Sequence, residues 1–534
     1  MSTTVPSSAP SAADRAKPRI GWIFTSLMLV MLLASLDQTI VGTALPTIVG
    51  ELDGLQHMSW AITAYTLAIT IAMPIYGKVG DLVGRKRLFI VAIALFLLGS
   101  ALAGFSQSMT EFIAFRFLQG LGGSGLMIMS QTIIADVVPA KDRAKFMAPI
   151  GAVFGVSAVA GPLLGGWLTD AADWRWVFWI NLPLGIVALV VAALAIKLPK
   201  RHNSAPIDYV GMVLLALAST GLVLTMSWGG TQYAWGSATI IGLAVATVLA
   251  AVAFVVVENK VPEPVIPMRF FKNRTFVVTT LLGLVVGAGM MGALAYLPTY
   301  LQMAYGVNAT ESGLLLLPMV GALLVASIGS GAVVTKTGRY KAFPIAGTFI
   351  AAVAMFLMST MSVATPLWQV CVYVGILGAG LGLFMQIIVL AVQNAVSPKE
   401  IGTATSSNNL FRELGVTVGT AVLGTVFSSR LTERLGGALS GSADSASSLT
   451  PALVRSLPAD VADGIVNAYA DSLVPIFLWL VPMFLLGTVI AFFLPEVPLS
   501  STAPMGEGET EAAAERNAEV PAQSTGSPPS VLKE

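Results

Sequence analysis

Long uninterrupted apolar stretches recur along the whole chain and decide what it can fold into. A helix rises about 1.5 Å per residue, so roughly 20 apolar residues cross the hydrocarbon core of a bilayer. The stretches are continuous and do not alternate, which predicts helices and excludes a β-barrel. We predict fourteen spans: Ile20–Leu45, Ser59–Gly80, Leu88–Phe105, Phe112–Val138, Phe146–Leu168, Val177–Ile196, Val210–Trp228, Ala238–Val257, Phe276–Leu301, Ser312–Val334, Phe343–Met361, Leu367–Val392, Thr405–Phe427 and Leu473–Leu494.

The composition agrees with a polytopic membrane protein. Of 534 residues, 55% are hydrophobic and only 11% are charged, whereas about a quarter are charged in soluble proteins. The net charge of +1 argues against nucleic-acid binding. A single cysteine, Cys371, excludes an intrachain disulfide, and His57 and His202 are too few for most histidine-based metal sites. We therefore expect an all-α membrane protein with no metal and no bound cofactor.

The basic residues predict the orientation in the membrane, because lysine and arginine concentrate in cytoplasmic loops. With the N-terminus inside, almost all basic residues fall in inner loops and tails. The outer loops then hold only Arg175, Arg430, Arg434 and Arg455. We predict a multi-pass protein of the inner (cytoplasmic) membrane, in contact with the lipid bilayer, with both termini in the cytoplasm.

An internal repeat indicates how the spans are grouped. The segment Gly77–Arg85 after span two and the segment Gly331–Arg339 after span ten both read glycine, six residues, then Gly-Arg. The simplest arrangement is two six-helix bundles, residues 20–197 and 273–495, with two inserted helices at 208–257. Two such halves usually enclose a substrate path near the middle of the membrane.

Three segments lie outside the bundles or interrupt them. The outer loop 428–472 is rich in Gly, Ala and Ser and contains short amphipathic pieces. The N-terminal tail, residues 1–19, is polar, and we expect it to be mobile. The C-terminal tail, 498–534, is rich in Pro, Ser, Ala and Glu, a composition that predicts disorder.

Asp37, in span one, is the clearest candidate for function, because a charge inside a span costs several kcal/mol unless it is paired or hydrated. Arg116, in span four, lies at a comparable depth in the outer half of the membrane. Burial favours the protonated form of a carboxyl group, and a nearby arginine favours the ionised form. We predict that the two residues couple proton movement to transport. The alternative is a fixed structural ion pair.

The loop between spans two and three predicts an inner gate. Gly77 and Gly84 allow a tight turn between closely packed helix ends, and Asp81 is placed to meet a helix N-terminus. Asp136, at the inner end of span four, is a candidate partner for Arg85. Such charges can hold a gate shut in one state and release it in another. The second copy of the motif adds Gly338 and Arg339; the alternative is that these residues only set the topology.

Span five contains Gly161-Pro162-Leu163-Leu164-Gly165-Gly166. Its glycines let another helix approach closely, and Pro162 removes a backbone hydrogen bond and bends the helix. The alternative is ordinary packing of small residues, which is common in membrane proteins.

Several further side chains are candidates for a substrate pocket. Arg412 and Glu413 are adjacent in span thirteen; neighbours on a helix point about 100° apart, so we expect them not to face each other. Trp174 and Trp176 are interpreted as part of an interfacial aromatic belt. The complete set of pocket candidates is Gln38, Gln119, Tyr296, Gln386, Arg412 and Glu413.

These motifs together resemble the major facilitator superfamily, in particular its fourteen-span drug:proton antiporters of the QacA/EmrB type, over roughly residues 20–495. Leu36–Pro46 is similar to the span-one signature of that branch, although Gly42 replaces the usual Asn. Gly77–Leu88 and Arg116–Gly120 resemble the loop motif and the span-four motif, whose arginine is implicated in proton coupling. Gly161–Gly166 resembles the antiporter motif, with Ala148 and Ser157 at the positions of two upstream family glycines.

The resemblance implies the major facilitator fold and proton-driven efflux of diverse lipophilic compounds. Some relatives select dicationic drugs with an acidic residue in span ten, but Gly313–Val334 contains no Asp or Glu. Monocations, neutral antibiotics, dyes and lipids remain open as substrates, and any accessory protein of the envelope is unknown. The chain has no phosphate-binding loop and no hydrolase motif, so we expect neither an ATP-driven pump nor an enzyme. The alternatives are an exporter of a lipid or metabolite, a proton-coupled importer, or a non-transporting receptor or scaffold.

Overall fold

A computed structural model of the protein describes residues 20–52, 54, 57–196, 198, 206–230, 232–436, 454 and 457–499. Within these ranges the regular structure is helical, apart from one isolated bridge between Gly229 and Tyr233. The α-helices, numbered in chain order, are α1 Ile20–Glu51, α2 Met58–Val83, α3 Arg85–Gly104, α4 Met109–Val137, α5 Ala140–Ala171, α6 Trp176–Trp179, α7 Asn181–Ala195, α8 Tyr209–Trp228, α9 Ala238–Glu258, α10 Arg274–Tyr305, α11 Ala309–Leu314, α12 Leu317–Thr337, α13 Ala342–Met358, α14 Leu367–Asn394, α15 Ile401–Gly436 and α16 Ala459–Phe492.

The helices reproduce the predicted spans. Among the described residues, 12 helices are long and apolar enough to cross a membrane, and Arg274–Met290 and Ala342–Met358 are shorter apolar segments. Each of the fourteen predicted spans corresponds to one of these segments. The outward face of α9 carries exposed valines and isoleucines, for example Ile241, Val245 and Val252, as expected for a surface in contact with lipid.

Local signals set several helix ends. Ser108 accepts a hydrogen bond from the Glu111 backbone N–H and caps α4, and Asn273 caps α10 in the same way. Gly338 ends α12 with a φ of 69°, in the left-handed region where a side chain is disfavoured. The second copy of the Gly-Arg motif therefore marks a helix C-terminus.

Two bundles are formed, joined by the pair α8–α9. In the first, α4 packs against α2 and α3, and α1 packs against α5 and α7. In the second, α10 packs against α15 and α16, and α14 packs against α12 and α13. Each bundle has its own buried apolar core. The pair α8–α9 lies beside α2 and α15, one helix from each bundle.

The two bundles meet along α2–α15 and α5–α12. A β-carbon on Gly77 would collide with Ser406 and lie 2.5 Å from the carbonyl oxygen of Gly402. One on Gly331 would lie 2.7 Å from the carbonyl oxygen of Ala144. Both glycines are the first residue of a copy of the repeated motif, so the repeat supplies the close approach at both contacts.

The predicted outer loop 428–472 is shorter in the structure. Helix α15 continues to Gly436 and α16 begins at Ala459, so helical turns extend both spans beyond the expected membrane boundary. Residues 437–453 and 455–456 of this loop lie outside the described residues. So do the predicted N-terminal tail, 1–19, most of the linker before α8, and residues 500–534 of the predicted C-terminal tail.

Candidate functional site

Asp37 and Arg116 form an ion pair inside the first bundle. Arg116 Nη1 donates to Asp37 Oδ2 at 2.6 Å, joining α1 to α4. Asp37 is 0% exposed and Arg116 is 2% exposed, so water does not screen the pair. Removing one partner of such a pair would leave an uncompensated buried charge, at a cost of about 3–5 kcal/mol.

Two amides complete the surroundings of the Asp37 carboxylate. Gln119 Nε2 donates to Oδ1 at 2.7 Å, and Asn181 Nδ2 donates to the same oxygen at 3.1 Å. Gln119 Oε1 also accepts from Arg116 Nη1 at 2.7 Å. A carboxylate that only accepts hydrogen bonds is in its ionised form, so this arrangement fits charged Asp37. A proton on either oxygen would replace an accepting site with a donor and disrupt at least one of these contacts.

Asn181 is a member of this site that the sequence reasoning did not single out. It begins α7 and also donates to Ser100 Oγ at 3.0 Å, while Ser100 donates to the Phe178 carbonyl oxygen at 2.8 Å. Three helices, α1, α4 and α7, thus meet at one carboxylate, and Ser100 connects α3 to the site through Asn181. An uncharged amide within an apolar span is a weaker sequence signal than a charge, although it too needs partners in lipid.

The remaining walls of the site are aromatic and apolar. The Tyr65 ring lies 4.1 Å from the Arg116 guanidinium carbon, and the Phe178 ring lies 5.8 Å from it. Ring faces attract a cation, so both rings stabilise the guanidinium. Arg116 Nε has no hydrogen-bond partner among the described residues. Its N–H group is therefore available to a new acceptor when the charge of Asp37 changes.

The glycines of span five pack on the helix that carries Asp37. A β-carbon on Gly161 would lie 2.7 Å from Thr39 Cβ, and one on Gly165 would lie 2.6 Å from the Ile40 carbonyl oxygen. Thr39 Oγ1 donates to the Ser157 carbonyl oxygen on α5 at 2.8 Å. Gly166 has nothing within 4 Å and takes no part in this contact. Pro162 lies within α5, which continues on both sides of it.

The predicted gate residue Asp81 connects the two bundles. Its carboxylate accepts from the backbone N–H groups of Gly402 at 3.1 Å and Thr403 at 2.7 Å, and from Thr403 Oγ1 at 2.9 Å. These groups belong to the first turn of α15, where unpaired N–H groups and the helix dipole favour an anion. Asp81 on α2 is therefore a cap for a helix of the opposite bundle.

Arg85 holds Asp81 in place. Its Nη2 donates to Asp81 Oδ1 at 2.6 Å and its Nη1 donates to Asp136 Oδ1 at 2.6 Å, with a further bond to the Thr132 carbonyl oxygen at 3.0 Å. The guanidinium is nearly inaccessible. Gly84, between α2 and α3, has a φ of 107°, a backbone angle that residues with a side chain rarely adopt. One arginine thus bridges two carboxylates at the predicted gate.

The second copy of the motif forms no comparable set of ion pairs among the described residues. Thr335 stands at the position of Asp81, and its hydroxyl donates to Gly331 on its own helix at 2.9 Å. Arg339 is exposed and forms no ion pair within the part of the chain that the structure describes. Gly338 serves only to end α12. Both copies of the repeat therefore place a glycine at a close contact between the bundles. They differ in charge, because the ion pairs of the first copy have no counterpart in the second among the described residues.

The pocket candidates are not brought together at one place. Gln119 belongs to the Asp37 site, and Gln38 is exposed. Tyr296 stacks against Phe427 at 5.3 Å in the second bundle. Gln386 is buried between α14, α5 and α12, and its Oε1 has no partner among the described residues.

Arg412 and Glu413 contradict the expectation that they do not face each other. Arg412 Nη2 lies 3.4 Å from Glu413 Oε1, and both side chains are largely buried. Helical geometry separates the two Cβ directions by about 100°, but a long arginine side chain can turn back and close the gap.

Trp174 also corrects an expectation, because it does not belong to an interfacial belt. It is 1% exposed and its Nε1 donates to Glu51 at 2.7 Å, whereas Trp176 is 48% exposed. Arg175 Nη1 reaches the same Glu51 carboxylate at 2.7 Å. Residues two positions apart on a helical turn point in nearly opposite directions, which the composition of the segment does not reveal.

Uncharged polar groups lie buried between the bundles beside the predicted gate. Gln131 on α4 accepts from Asn409 Nδ2 at 3.1 Å, and Gln393 on α14 donates to Thr405 Oγ1 at 3.2 Å. Gln393 Oε1 and Asn408 Nδ2 have no partner in the described structure. No cluster of three or more His, Cys, Asp or Glu side chains that could hold a metal occurs among the described residues.

Comparison with known proteins gives the family. The Major Facilitator Superfamily model matches residues 27–420. An uncharacterised MFS-type transporter of Mycobacterium tuberculosis (strain ATCC 25618 / H37Rv) is 45% identical over 503 residues, 93% of this chain and 73% of the relative. Multidrug transporter protein MdtP of Bacillus subtilis (strain 168) is 37% identical, covering 92% of this chain and 96% of that protein. Multidrug resistance protein 3 of the same organism is 34% identical, covering 91% and 97%.

The structural comparison agrees at the level of the fold. The proton:xylose symporter XylE superimposes with a TM-score of 0.61 at 13% identity, covering 91% of this chain and 98% of that one. The human organic anion transporter MFSD10 superimposes with a TM-score of 0.59 at 15% identity, covering 89% and 100%. The chain therefore belongs to the Major Facilitator Superfamily, and it is a multi-pass membrane transporter rather than an enzyme.

Proposed function

We propose that the protein is a proton-coupled antiporter that exports lipophilic small molecules across the cytoplasmic membrane, with both termini in the cytoplasm. The observation that carries the proposal is the buried Asp37–Arg116 pair, with its 2.6 Å contact in a water-excluded site. A buried ionisable group inside a span is costly, so its presence there favours a functional role. The names of two relatives, a multidrug transporter protein and a multidrug resistance protein, support drugs as the substrate class.

In the proposed cycle, Asp37 is the proton-binding group and Arg116 is its counter-ion. Protonation neutralises the carboxylate and weakens its bonds to Arg116, Gln119 and Asn181, which loosens α1 from α4. Because Gly161 and Gly165 hold α5 tightly against α1, a shift of α1 is transmitted to α5. Helix α5 packs on α12 of the other bundle, so the shift reaches the interface between bundles.

The gate supplies the second element of the cycle. The Asp81 cap on α15 closes one side of the interface in the present state. Opening on that side requires Asp81 to leave the Gly402 and Thr403 N–H groups while it stays bound to Arg85. Each proton that moves inward contributes about 2.3 kcal/mol per 100 mV of membrane potential, which is enough to drive such a rearrangement against a substrate gradient.

The polar groups between the bundles bear on the class of substrate. Gln131, Gln393, Asn408 and Asn409 offer hydrogen bonds without charge, and α12 contains no acidic residue. A site of this kind suits neutral or singly charged lipophilic molecules better than dications, because a buried second positive charge would lack a partner.

The test is transport in everted membrane vesicles, with a pH-sensitive dye reporting substrate-driven proton movement. The Asp37→Asn variant should be present in the membrane and folded, and should show no substrate-driven proton release. Asp170→Asn is the matched control, because Asp170 is exposed at the outer end of α5. Proton release by Asp37→Asn equal to that of the control would refute the coupling role. In everted vesicles an exporter accumulates substrate inside, so movement of substrate out of the vesicles together with protons would favour a proton-coupled importer. No effect of any tested drug or lipid on the pH gradient would favour a non-transporting protein.

A further inference from the structure

Two buried acids lie outside the Asp37 site. They are found at the ends of α8 and α9 that approach the proposed gate. Asp208 immediately precedes α8, and its Oδ1 caps that helix by accepting from the Gly211 N–H at 2.8 Å. Glu258 is the last residue of α9. Asp208 is 7% exposed and Glu258 is 2% exposed, so both are largely removed from water.

The two carboxyl groups face each other across Gly211. A β-carbon on this glycine would lie 2.6 Å from Glu258 Oε1 and closer still to Asp208 Oδ2. The two oxygens are therefore at most about 5 Å apart, a separation at which two like charges strongly disfavour each other. Only a residue without a side chain leaves this space open between them.

The hydrogen bonds leave one oxygen of the pair unused. Glu258 Oε1 accepts from the Val265 N–H at 3.2 Å and Oε2 accepts from the Ile266 N–H at 3.0 Å. Asp208 Oδ2 is buried and has no partner among the described residues. An unpartnered buried oxygen destabilises the fold, and a proton between it and Glu258 would remove both that cost and the repulsion.

The charged groups around the pair do not balance two negative charges. On α2, Lys78 is close enough to attract the Glu258 carboxylate. Its ammonium group, however, already forms an ion pair with Glu263 at 2.6 Å. Lys260, in the loop after α9, is exposed. The α15 side contributes Leu410, and the nearest basic residue along that helix, Arg412, contacts Glu413.

We propose that Asp208 and Glu258 share one bound proton and form a second proton-binding site, separate from Asp37, at the inner ends of the two inserted helices. With the proton, the pair carries one negative charge and a carboxyl–carboxylate hydrogen bond ties α8 to α9. Without it, two adjacent negative charges push the helix ends apart.

The site is connected to both sides of the gate. Glu258 holds the loop 259–267 through Val265 and Ile266, and these two residues pack on Leu410 of α15. Glu263, in the same loop, binds Lys78, which directly follows Gly77 on α2. Loss of the shared proton therefore loosens a loop that contacts both helices of the α2–α15 contact.

Infrared titration of the purified protein tests the proposal, because a protonated carboxyl group has its own C=O absorption. We expect one such band that persists at neutral pH in the wild type and in Asp37→Asn, and that is lost in both Asp208→Asn and Glu258→Gln. A neutral-pH carboxyl spectrum unchanged by both variants would overturn the shared proton. Persistence of the band in Asp37→Asn separates this site from the proposed transport site, whatever that variant does to transport.

A second variant keeps the test available if neither substitution yields folded protein. Gly211→Ala retains both acids but places a methyl group between them, and should shift the titration of the band to lower pH. Gly242→Ala, on α9 with nothing within 4 Å, is its control and should leave the titration unchanged. Equal titrations in the two alanine variants would contradict the proposal. So would a titration that responds to replacing K⁺ by Na⁺, since that would identify a cation site instead.

Discussion

Asp81 on α2 accepts a 2.7 Å hydrogen bond from the backbone N–H of Thr403 on α15, so a side chain of one bundle caps a helix of the other. The contact is reinforced by Arg85, which is itself held by Asp136. Because the cap depends on a negative charge at a helix N-terminus, this contact between the bundles depends on electrostatics as well as on packing.

Removing the charge of Asp81 should open this gate. Hydrogen bonds to a charged group contribute about 1.5–3 kcal/mol, so Asp81→Asn should shift the gate equilibrium roughly tenfold or more toward the open state. The measurement is the rate of alkylation of a Thr405→Cys reporter, buried in the closed state, in a Cys371→Ala background. Thr335→Ala, at the corresponding position of the second repeat, should not change that rate.

Arg85→Lys should not preserve the gate, although the charge is conserved. A lysine cannot bind Asp81 and Asp136 with the fixed fork of a guanidinium, so one buried carboxylate loses its partner. We expect drug efflux at least about tenfold below the wild type, which corresponds to about 1.4 kcal/mol. Arg87→Lys, on the exposed side of α3, is the matched control, and equal losses in the two variants would argue against a specific role for Arg85.

Asn181→Ala should change the pH dependence of transport, because Asn181 donates to the ionised form of Asp37. Loss of this donor favours protonation, so the half-maximal point of the efflux–pH profile should move to higher pH, by about one unit for about 1.4 kcal/mol. A lower rate with an unmoved profile would assign Asn181 a structural role only. Asn467→Ala, exposed on α16, provides the comparison.

Two glycines of span five, Gly161 and Gly166, should differ in how well they tolerate a side chain. Gly161→Val would push α5 away from Thr39 on α1 and should destabilise the folded protein by about 1–3 kcal/mol, the usual cost of overpacking. Gly166→Val points into open space and should leave the melting temperature and efflux close to wild type. Melting curves of the two purified variants measure the difference, and equal tolerance would contradict the close α1–α5 contact.

Much of the architecture followed from the sequence. Hydrophobic length set the fourteen spans, because a helix in lipid must be long and apolar, and the positions of Asp37 and Arg116 within their spans predicted comparable depths. The repeated Gly-x6-Gly-Arg motif indicated the grouping into two bundles, and the structure then placed the first glycine of each copy at a contact between them. These features depend on the length of each apolar segment and on the residue types within it, and both can be read directly from the sequence.

Other features depended on side-chain direction and on contacts distant in sequence. Asn181 joins the Asp37 site from 144 positions away, and Arg412 reaches Glu413 despite divergent Cβ directions. Likewise, only the fold places Asp208 beside Glu258 and leaves one oxygen without a donor. The sequence determined which segments enter the membrane, because that follows from the transfer of each segment into lipid. The tertiary structure decided which buried charges and amides satisfy one another, because that depends on how the helices are rotated and packed.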